Sequence, residues 1–465
     1  MFFLIFCLFL FAGCQENENA SQHNTPSWLR SMLPLSGTNL LKLEPSDRFE
    51  NFVSNTQFEN NLTKMKWNLY RLPLEWEDYT TETGTLDSNH ITKGIQNFDL
   101  LIEKLRAVHN GLSQPIFLIV DFHQYKFGNV CGGVGIPKNA IDESGIDKED
   151  PNCIFLAFNR FWKNSHNVQD KWFEFSKPFL EHIALTLEEN KDWLVIGIEP
   201  INEPQFGTDS KIFLDSIIRT YFHMRRFTKD RRIQKQITEN LLPFYKRYLN
   251  HMKEIEGAEI LFKNAVFIME PFLLDYVHLP IKYGPFNVEI TTDGNYSSFR
   301  SLQNLEGVSE PLKWIAAPHH YLGAQDDGFI SFLPDFLKTE LDHYPNSIFN
   351  KTSITTRVAH VKRRMAEAGM PVIFGEWGTQ TGLKNPDGSW GGHKQWIADS
   401  IEAFKRSAHA WIWWQYYPDP SPNQDSFYLL VGRWGNQDLK CAGDEDLVPL
   451  VFGGCGESAG IKDRK

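Results

Sequence analysis

Two glutamates, far apart along the chain, are the residues best suited to chemistry. Glu203 lies in an Asn-Glu-Pro triplet after an apolar run that starts at residue 195, and Glu376 ends an apolar run that starts at residue 371. Apolar runs of this length that stop at turn residues are typical of buried strands. Because burying a lone carboxylate is costly, two carboxyl groups at parallel strand ends suggest one proton donor and one anion. Such a pair can cleave a glycosidic bond.

The composition limits the kinds of partner. The chain has 465 residues, enough for one large barrel or two domains. Its 58 acidic residues outnumber its 47 lysines and arginines, and the formal net charge is -11. This charge argues against nucleic acid or an anionic membrane surface as the main partner. Core packing explains most of the aromatic residues, but the 14 tryptophans also suit stacking on sugar rings.

The first residues predict export. Residues 1–13 are nearly all apolar and too few for an ordinary membrane span, which favours a secretory signal. The sequence Phe-Ala-Gly-Cys that ends at Cys14 resembles a bacterial lipoprotein cleavage box, in which Cys14 would carry the lipid. We therefore expect a periplasmic or cell-envelope lipoprotein that touches the membrane only through this anchor, or alternatively a secreted protein.

The remaining cysteines fall into two local pairs. Cys131 and Cys153 bracket one loop, while Cys441 and Cys455 bracket the tail of the chain. In an exported protein these pairs predict two disulfides, with free buried thiols as the alternative. Their spacing does not match a zinc site.

Strand-like and helix-like segments alternate, which favours a parallel sheet with crossover helices. The strand patterns cover residues 32–40, 67–74, 115–122, 193–201, 265–271, 314–320, 371–376 and 410–417. Helical periodicity covers residues 91–108, 173–187, 238–255, 355–368 and 394–406. Eight strands with intervening helices predict an α/β protein with a (β/α)8 TIM barrel, whose active site lies at the carboxyl ends of the strands.

The domain prediction follows from these segments. Residues 1–14 form the signal peptide, residues 15–28 a polar tether, and residues 29–465 a single (β/α)8 domain. Two long segments, residues 125–170 and 273–313, read as irregular loops that shape a cleft on the catalytic face.

An ordered set of motifs resembles glycoside hydrolase family 5. The Asn-Glu-Pro triplet resembles the acid/base motif of that family, and Glu376 resembles its nucleophile at a later strand end. The other matching residues, in chain order, are Arg71, His123, His319, Tyr321 and Trp414. The resemblance spans residues 30–420 and implies a retaining β-glycosidase that needs no cofactor or metal.

The resemblance also implies individual roles. Arg71 and the Tyr321 hydroxyl would favour the Glu376 anion. Glu203, the acid, is expected to be less solvated than Glu376 and farther from cations. The remaining substrate-binding residues would contact the sugar: Asn202 at the 2-hydroxyl, His123 and His319 at other hydroxyls, and Trp414 at the ring face.

Several nearby residues have less specific interpretations. Glu199 shares the strand parity of Glu203, so we expect it to support the site by hydrogen bonding rather than to react. Glu270, at the end of the fifth strand, could touch substrate or only stabilise the barrel. We expect His320, Trp411 and Trp413 to pack in the core.

The sequence is compatible with more than one function. The main prediction is a retaining β-glycosidase, a cellulase-like endo-β-glucanase, that hydrolyses a polysaccharide or glycoconjugate with two glutamates. The segment from Asp121 to Gln124 and the segment from Phe161 to Asn164 look more like endoglycoceramidases, which cleave glycolipids. A carbohydrate-binding lipoprotein without activity would not need both carboxylates, and a metal-dependent hydrolase would need a third ligand beside Asp121 and His123.

Overall fold

The strands of the central sheet form where the chain is apolar on both faces. All eight residues of Ile116–His123 and all seven residues of Leu69–Glu75 are buried. A strand that is covered on both faces belongs to a parallel sheet with helices packed on its outer surface. These two strands pair in parallel along their whole length, with Leu69 beside Phe117 and Glu75 beside His123.

The computed structural model describes residues 26–30, 32–33, 35, 37–141, 146–150, 152–207, 231–272, 278–283, 286–291, 295–321, 351–378, 393–413, 430–431 and 440–441. The strands are β1 Gly37–Asn39, β2 Leu69–Glu75, β3 Ile116–His123, β4 Leu194–Glu199, β5 Val266–Met269, β6 His278–Tyr283, β7 Phe286–Thr291, β8 Lys313–Ala316, β9 His319–Tyr321, β10 Ile373–Gly378, β11 Ala410–Trp413, β12 Leu430–Val431 and β13 Lys440–Cys441.

The helices surround the sheet. They are α1 Ser27–Arg30, α2 Asp47–Ser54, α3 Thr56–Met65, α4 Ser88–Leu112, α5 Cys153–Trp162, α6 Val168–Asn190, α7 Arg231–Gln236, α8 Leu242–Met252, α9 Ala258–Asn264, α10 Lys351–Glu367 and α11 His393–Ser407. A π-helical turn, Ile237–Leu241, joins α7 to α8. In the part of the chain that the structure describes, none of these helices has both the length and the apolar character of a membrane span.

Nine strands form one parallel sheet in the order β8-β5-β4-β3-β2-β1-β11-β10-β9. Strands β8 and β9 are two segments of the same barrel strand, separated by Ala317 and Pro318, because proline has no N–H for the ladder. A parallel bridge between Ala316 and Val372 joins β8 to the segment that leads into β10. The sheet therefore closes on itself with eight strand positions, and the predicted (β/α)8 barrel is confirmed.

The barrel has an inner and an outer apolar core. The inner cluster includes inward-facing residues at alternate strand positions: Leu69, Phe117, Ile119, Val266, Ile268, Ile315, Ala317, Ile373, Ala410 and Ile412. The larger outer cluster fills the space between the strands and the helices. It includes Trp413, which meets Trp377 edge to face at a ring distance of 4.7 Å. Trp413 is therefore a core residue, as the sequence predicted.

Two segments expected to be irregular contain regular structure. Residues 125–170 include α5, and residues 273–313 include the antiparallel pair β6 and β7. Helix α5 has the aromatic sequence Phe-Leu-Ala-Phe-Asn-Arg-Phe-Trp, whose rings pack together and onto Phe127. The prediction that residues 125–170 are wholly irregular was wrong. Helix α5 lies within this segment and is stabilised by aromatic contacts in the tertiary structure, which the sequence pattern does not reveal.

One disulfide holds the loop that follows β3. Cys131, in a short 3-10 turn, is joined to Cys153 at the start of α5. The pairing confirms the first of the two predicted disulfides. For the second, the backbone of Cys441 lies in β13, but Cys455 falls outside the described residues, as does Cys14.

Candidate active site

A cluster of polar side chains lies one layer above the inner apolar core. Arg71, Asp121, Glu199, Glu270 and His319 each follow by two positions an inward-facing apolar residue or glycine. Since side chains alternate between the two faces of a strand, these residues continue the inward series toward the carboxyl ends of the strands. All five are completely or almost completely buried. The barrel therefore gathers residues from five strands into one pocket, where a (β/α)8 barrel has its active site.

A β-bulge brings Glu376 into this pocket. Ile373 faces the inner core and Phe374 faces the outer core, so strict alternation would place Glu376 on the outside. The register between β10 and β11 shifts between Phe374 and Trp377. A bulge inserts one extra residue and re-aims the following side chain. As a result Glu376 turns inward to the cluster and Trp377 turns outward into the core.

Arg71 is the centre of the cluster. Its Nε donates to Glu199 Oε2 at 2.7 Å, its Nη1 to Glu376 Oε1 at 2.5 Å, and its Nη2 lies 2.9 Å from Asp121 Oδ2. The guanidinium also donates to the side-chain oxygens of Asn39 and Asn202, at 3.1 and 2.8 Å. Five N–H groups thus meet five acceptors.

This arrangement fixes the charge of Arg71. Burial by itself would lower the pKa of Arg71, but the carboxylates of Asp121, Glu199 and Glu376 raise that pKa well above its ordinary value. Arg71 is therefore a permanent cation that contacts Glu376 directly. The prediction that Arg71 lies beside Glu376 is confirmed by the 2.5 Å contact.

His319 lies between the two glutamates that the sequence singled out. Its Nδ1 is 2.9 Å from Glu203 Oε1 and 3.3 Å from Glu376 Oε2. One oxygen of each carboxyl group and a ring nitrogen of His319 all lie within 4.8 Å of one another. Burial lowers the pKa of His319 to about 3, so the imidazole is neutral. The two carboxyl groups therefore face one pocket and share one neutral neighbour.

The solvation of the two glutamates differs from the expectation. The Glu203 side chain is 11% exposed and the Glu376 side chain 5% exposed, so Glu203 is not the less solvated of the pair. Arg71 forms an ion pair with Glu376, which is the cation contact expected of the nucleophile. Burial raises the pKa of Glu376, while His319 and Arg71 oppose that rise. The guanidinium therefore favours the ionised form of Glu376 against the effect of burial.

Glu203 follows β4 in a loop held by Gln124. The Gln124 side-chain amide donates to the carbonyl oxygens of Asn202 and Glu203, at 2.6 and 3.2 Å, and its own oxygen accepts from Phe127 N–H. In return the Asn202 side-chain amide donates to the Gln124 carbonyl at 2.8 Å. Glu203 itself has a left-handed backbone, with φ at 42°. Such strain in a non-glycine residue occurs at functional sites where neighbours enforce the conformation.

His123 and Asp121 form a second buried pair. His123 Nδ1 lies 2.6 Å from Asp121 Oδ2, the same oxygen that faces Arg71. Burial raises the pKa of Asp121 to about 7, although Arg71 opposes the shift. Burial also lowers the pKa of His123, which is therefore a neutral imidazole at the pocket.

Several residues of the site were missed or left open by sequence reasoning. Asn39 bridges Arg71 to the carbonyls of Gly375 and Trp413. It lies in a strand of three residues with little pattern to mark it. Gln124 directly follows His123 in the segment that begins at Asp121, and its position beside a site residue is a sequence signal for a role in the site. Glu270 accepts a hydrogen bond from Glu203 N–H at 2.7 Å, a contact that no sequence pattern predicts.

Other predicted residues are placed as follows. Glu199 supports Arg71, and His320 packs outward with its ring stacked on Trp396 at 5.1 Å. The side chain of Tyr321 and the whole of Trp414 lie outside the described residues.

Two groups of ligand-type atoms have the spacing of a cation site. One is Glu203, His319 and Glu376; the other is Glu199, Glu270 and His319. In each group a carboxylate already forms an ion pair with Arg71. The fixed positive charge of the guanidinium takes the place that a metal ion would have in balancing these carboxylates.

The sequence matches one protein family over most of its length. Residues 34–420 match the model for cellulases of glycosyl hydrolase family 5. A search of curated protein sequences finds no match.

Solved structures of glycosidases share the fold. Endo-glycoceramidase II from Rhodococcus sp., determined as its lactosyl-enzyme intermediate, has a TM-score of 0.51 and 14% identity, covering 85% of this chain and 76% of its own. A Bacteroidetes-affiliated family 5 cellulase linked with a polysaccharide utilization locus has a TM-score of 0.50 and 12% identity, covering 88% of each chain. At these identities the likeness concerns the fold. The family match, which spans most of the sequence, shows that this chain belongs to glycoside hydrolase family 5 and is a retaining glycoside hydrolase.

Proposed function

We propose that Glu376 is the nucleophile and Glu203 the acid/base of a retaining β-glycosidase that cleaves a β-linked glucan. The observation that supports these roles is the meeting of both carboxyl groups at Nδ1 of His319, with oxygens within 4.8 Å of each other. Retaining glycosidases place their two carboxyl groups about 5 to 5.5 Å apart, whereas inverting enzymes leave roughly 6.5 to 9.5 Å for a water molecule. The compact pair therefore suits direct attack on the sugar.

In the first step, Glu376 attacks the anomeric carbon while the glycosidic C–O bond breaks. The leaving oxygen takes the proton of Glu203, so an alcohol departs and a glycosyl ester forms on Glu376. The ion pair with Arg71 supports the role of Glu376, because a nearby cation favours the ionised form that attack requires. Both glutamates adjoin the same neutral imidazole, which adds no positive charge to oppose the proton of Glu203.

In the second step, a water molecule loses a proton to Glu203 and its oxygen attacks the anomeric carbon. The ester bond to Glu376 breaks, and the sugar leaves with its original configuration. Glu203 regains its proton and Glu376 its negative charge. His123 lies at the same pocket as a neutral donor or acceptor for sugar hydroxyls, and Asn202, whose oxygen accepts from Arg71, retains a second amide N–H for the same purpose.

A mechanism-based label tests these roles. A β-cellobioside that carries fluorine at C2 and a dinitrophenolate leaving group should form a stable ester, because fluorine slows the second step more than the activated first step. We expect intact mass spectrometry to show one added fluorinated cellobiosyl group and peptide mapping to place it on Glu376. A label on another residue, or first-formed product with inverted configuration by NMR, would contradict the assignment.

The substrate is tested separately with a panel of natural glycans. Cellulose oligomers and mixed-linkage β-glucan should be hydrolysed faster than mannan or than glycolipids presented in detergent. A faster rate on glycolipids would replace the glucan assignment and leave the residue roles intact. The double variant Glu203→Gln, Glu376→Gln serves as the control for contaminating glycosidases.

A further inference from the structure

Glu270 makes two contacts that converge on Glu203. Its Oε2 accepts a hydrogen bond from Glu203 N–H at 2.7 Å, and its Oε1 lies 3.4 Å from Nε2 of His319. The other nitrogen of that ring is 2.9 Å from the Glu203 carboxyl group. Glu270 is completely buried, and its Oε1 makes no hydrogen bond within the described part of the chain. The side chain therefore reaches Glu203 from two sides, directly at the backbone and through the imidazole.

We propose that Glu270 is a positioning residue that stays protonated and fixes His319 as the tautomer with its proton on Nδ1. This inference deepens the proposed function and rests on the acid/base role of Glu203. A neutral imidazole carries one N–H and one acceptor nitrogen. If Glu270 donates its proton to Nε2, the N–H must be at Nδ1, where it faces both catalytic carboxyl groups.

The surroundings of Glu270 favour its neutral form. Burial raises the pKa of Glu270 well above its ordinary value, and the neighbouring Glu199 and Glu203 add to the rise, while Arg71 opposes it. Glu376 adds a smaller contribution in the same direction. Within the close pair of Glu199 and Glu270, it is Glu199 whose oxygen lies 2.7 Å from the guanidinium. The negative charge of that pair therefore stays on Glu199, and the proton stays on Glu270.

The remaining neighbours of Glu270 hold it in place. Its backbone N–H donates to the Tyr245 hydroxyl at 3.0 Å, from helix α8 behind the strand. The distance of 3.4 Å between Glu270 Oε1 and His319 Nε2 is longer than that of a well-formed hydrogen bond. Catalytic hydrogen bonds commonly tighten only when substrate is bound. The geometry therefore needs a small adjustment, not a rearrangement.

The tautomer has a consequence for each step of the reaction. Nδ1 of His319 lies 2.9 Å from Glu203 and 3.3 Å from Glu376, so one N–H can serve either oxygen. Before attack the negative charge is on Glu376, and afterwards Glu376 is a neutral ester while Glu203 carries the charge. The N–H can follow this charge from one carboxylate to the other without any proton leaving His319. The opposite tautomer would place a lone pair against whichever carboxylate carries the charge.

The same residue supports the strained backbone of Glu203. With φ at 42°, Glu203 belongs to neither a helix nor a strand. Its peptide N–H donates to the Glu270 side chain instead. A buried N–H that loses its acceptor is costly. A replacement for Glu270 must therefore supply an acceptor at Oε2 and a donor at Oε1, which a glutamine side chain can do and a methionine cannot.

Two substitutions separate a protonated from an ionised Glu270. Glu270→Gln has the shape and hydrogen-bonding pattern of the neutral acid, so we expect kcat/KM within about threefold of wild type and an unchanged pH profile. Glu270→Met has similar length but neither contact, and we expect kcat to fall on the order of 100-fold with little change in KM. Glu199→Gln is the matched control: it neutralises a carboxylate that contacts Arg71, and its activity should fall. Equal losses in Glu270→Gln and Glu270→Met would overturn the inference.

A spectroscopic readout keeps the test independent of folding defects. In protein labelled with ¹⁵N-histidine, the His319 signals should report a protonated Nδ1 in wild type and in Glu270→Gln, with His319→Gln used for assignment. A protonated Nε2 in folded wild type would overturn the inference even if Glu270→Met does not fold. If instead Glu203→Gln keeps wild-type turnover, the acid/base role itself fails, and this outcome is distinct from any result at Glu270.

Discussion

The guanidinium of Arg71 and the carboxylate of Glu376 form a buried ion pair, with Nη1 and Oε1 2.5 Å apart and neither side chain more than 5% exposed. The bulge in β10 brings the carboxylate to the guanidinium, and Glu199 and Asp121 hold the guanidinium in place. A buried pair of this kind need not add net stability, but breaking it leaves an uncompensated charge. Its chemical consequence is an anion kept ready for attack.

Replacing Arg71 by lysine tests this consequence. An ammonium group is a point charge and cannot contact three carboxylates as a planar guanidinium does. The pKa of Glu376 should then rise, and because the nucleophile must be ionised, the acidic limb of the kcat/KM profile should move to higher pH. We expect kcat to fall on the order of 100-fold. Arg106→Lys, which alters a contact to Asn190 between helices, is the control, and an unmoved acidic limb in Arg71→Lys would contradict the argument.

Glu376→Gly removes the nucleophile and leaves space for a small anion. Turnover of an aryl β-glycoside should drop by about 10⁴-fold or more, since covalent catalysis is lost. Added azide should restore a slow reaction, with the glycosyl azide formed in inverted configuration because attack occurs directly. The product configuration is measured by NMR. Formate should act in the same way, and no rescue by either anion would count against the role of Glu376.

Glu203→Gln removes the acid and keeps the size of the side chain. The loss in kcat/KM should depend on the leaving group: small for dinitrophenolate, which departs without protonation, and about 10²- to 10⁴-fold for an alcohol. The measurement is a series of aryl and alkyl β-glycosides with leaving groups of increasing pKa. A uniform loss across the series would indicate a structural defect and would sink the acid/base assignment.

The sequence predicts the barrel and the meeting of Glu203 with Glu376 for a definite reason. Apolar runs mark buried strands, and parallel strands bring their carboxyl ends to one face. The sequence does not predict that the Glu376 side chain points into the barrel. Alternation counted from Ile373 places that side chain on the outer face, and a bulge leaves no periodic pattern in the sequence. The expected difference in solvation between the two glutamates was wrong for a related reason: exposure depends on loops, which alternation does not describe.

The supporting residues are harder still to predict. Asn39 belongs to a strand of only three residues, and its role depends on contacts to Arg71 and to two distant carbonyl groups. Glu270 could be recognised as a strand-end carboxyl group, but its bond to Glu203 depends on the path of a loop after a different strand. Local sequence patterns give the position of such residues and leave their partners undetermined.

Asp121→Asn should change how stability depends on pH. Burial raises the folded-state pKa of Asp121 to about 7, from an ordinary value of 3.8. A raised pKa means that the folded state binds the proton more tightly, so the free energy of unfolding is higher below pH 4 and falls as pH rises to 7. About three pKa units at about 1.4 kcal/mol each set an upper bound of about 4 kcal/mol.

The variant cannot titrate at this position, so the difference in unfolding free energy between wild type and Asp121→Asn should itself fall between pH 4 and 7. Urea denaturation at several pH values measures it, and the contributions of unaffected groups cancel in the difference. Curves that remain parallel over this range would show that Asp121 titrates normally in the folded protein.

Gly375→Ala tests whether the bulge aims Glu376. A Cβ at Gly375 would lie 3.2 Å from both the Cβ and the carbonyl oxygen of Ala317, which is closer than ordinary contact, so β10 must move away from the neighbouring strand. We expect a loss of about 1 to 3 kcal/mol in unfolding free energy from overpacking, and at least about a 10-fold loss in kcat because Glu376 shifts with the strand.

Gly307→Ala is the control: its left-handed φ of 80° also disfavours alanine, but a Cβ there meets no atom within 4 Å. That variant should lose stability and keep kcat, whereas full activity in a destabilised Gly375→Ala would show that the bulge does not position the nucleophile.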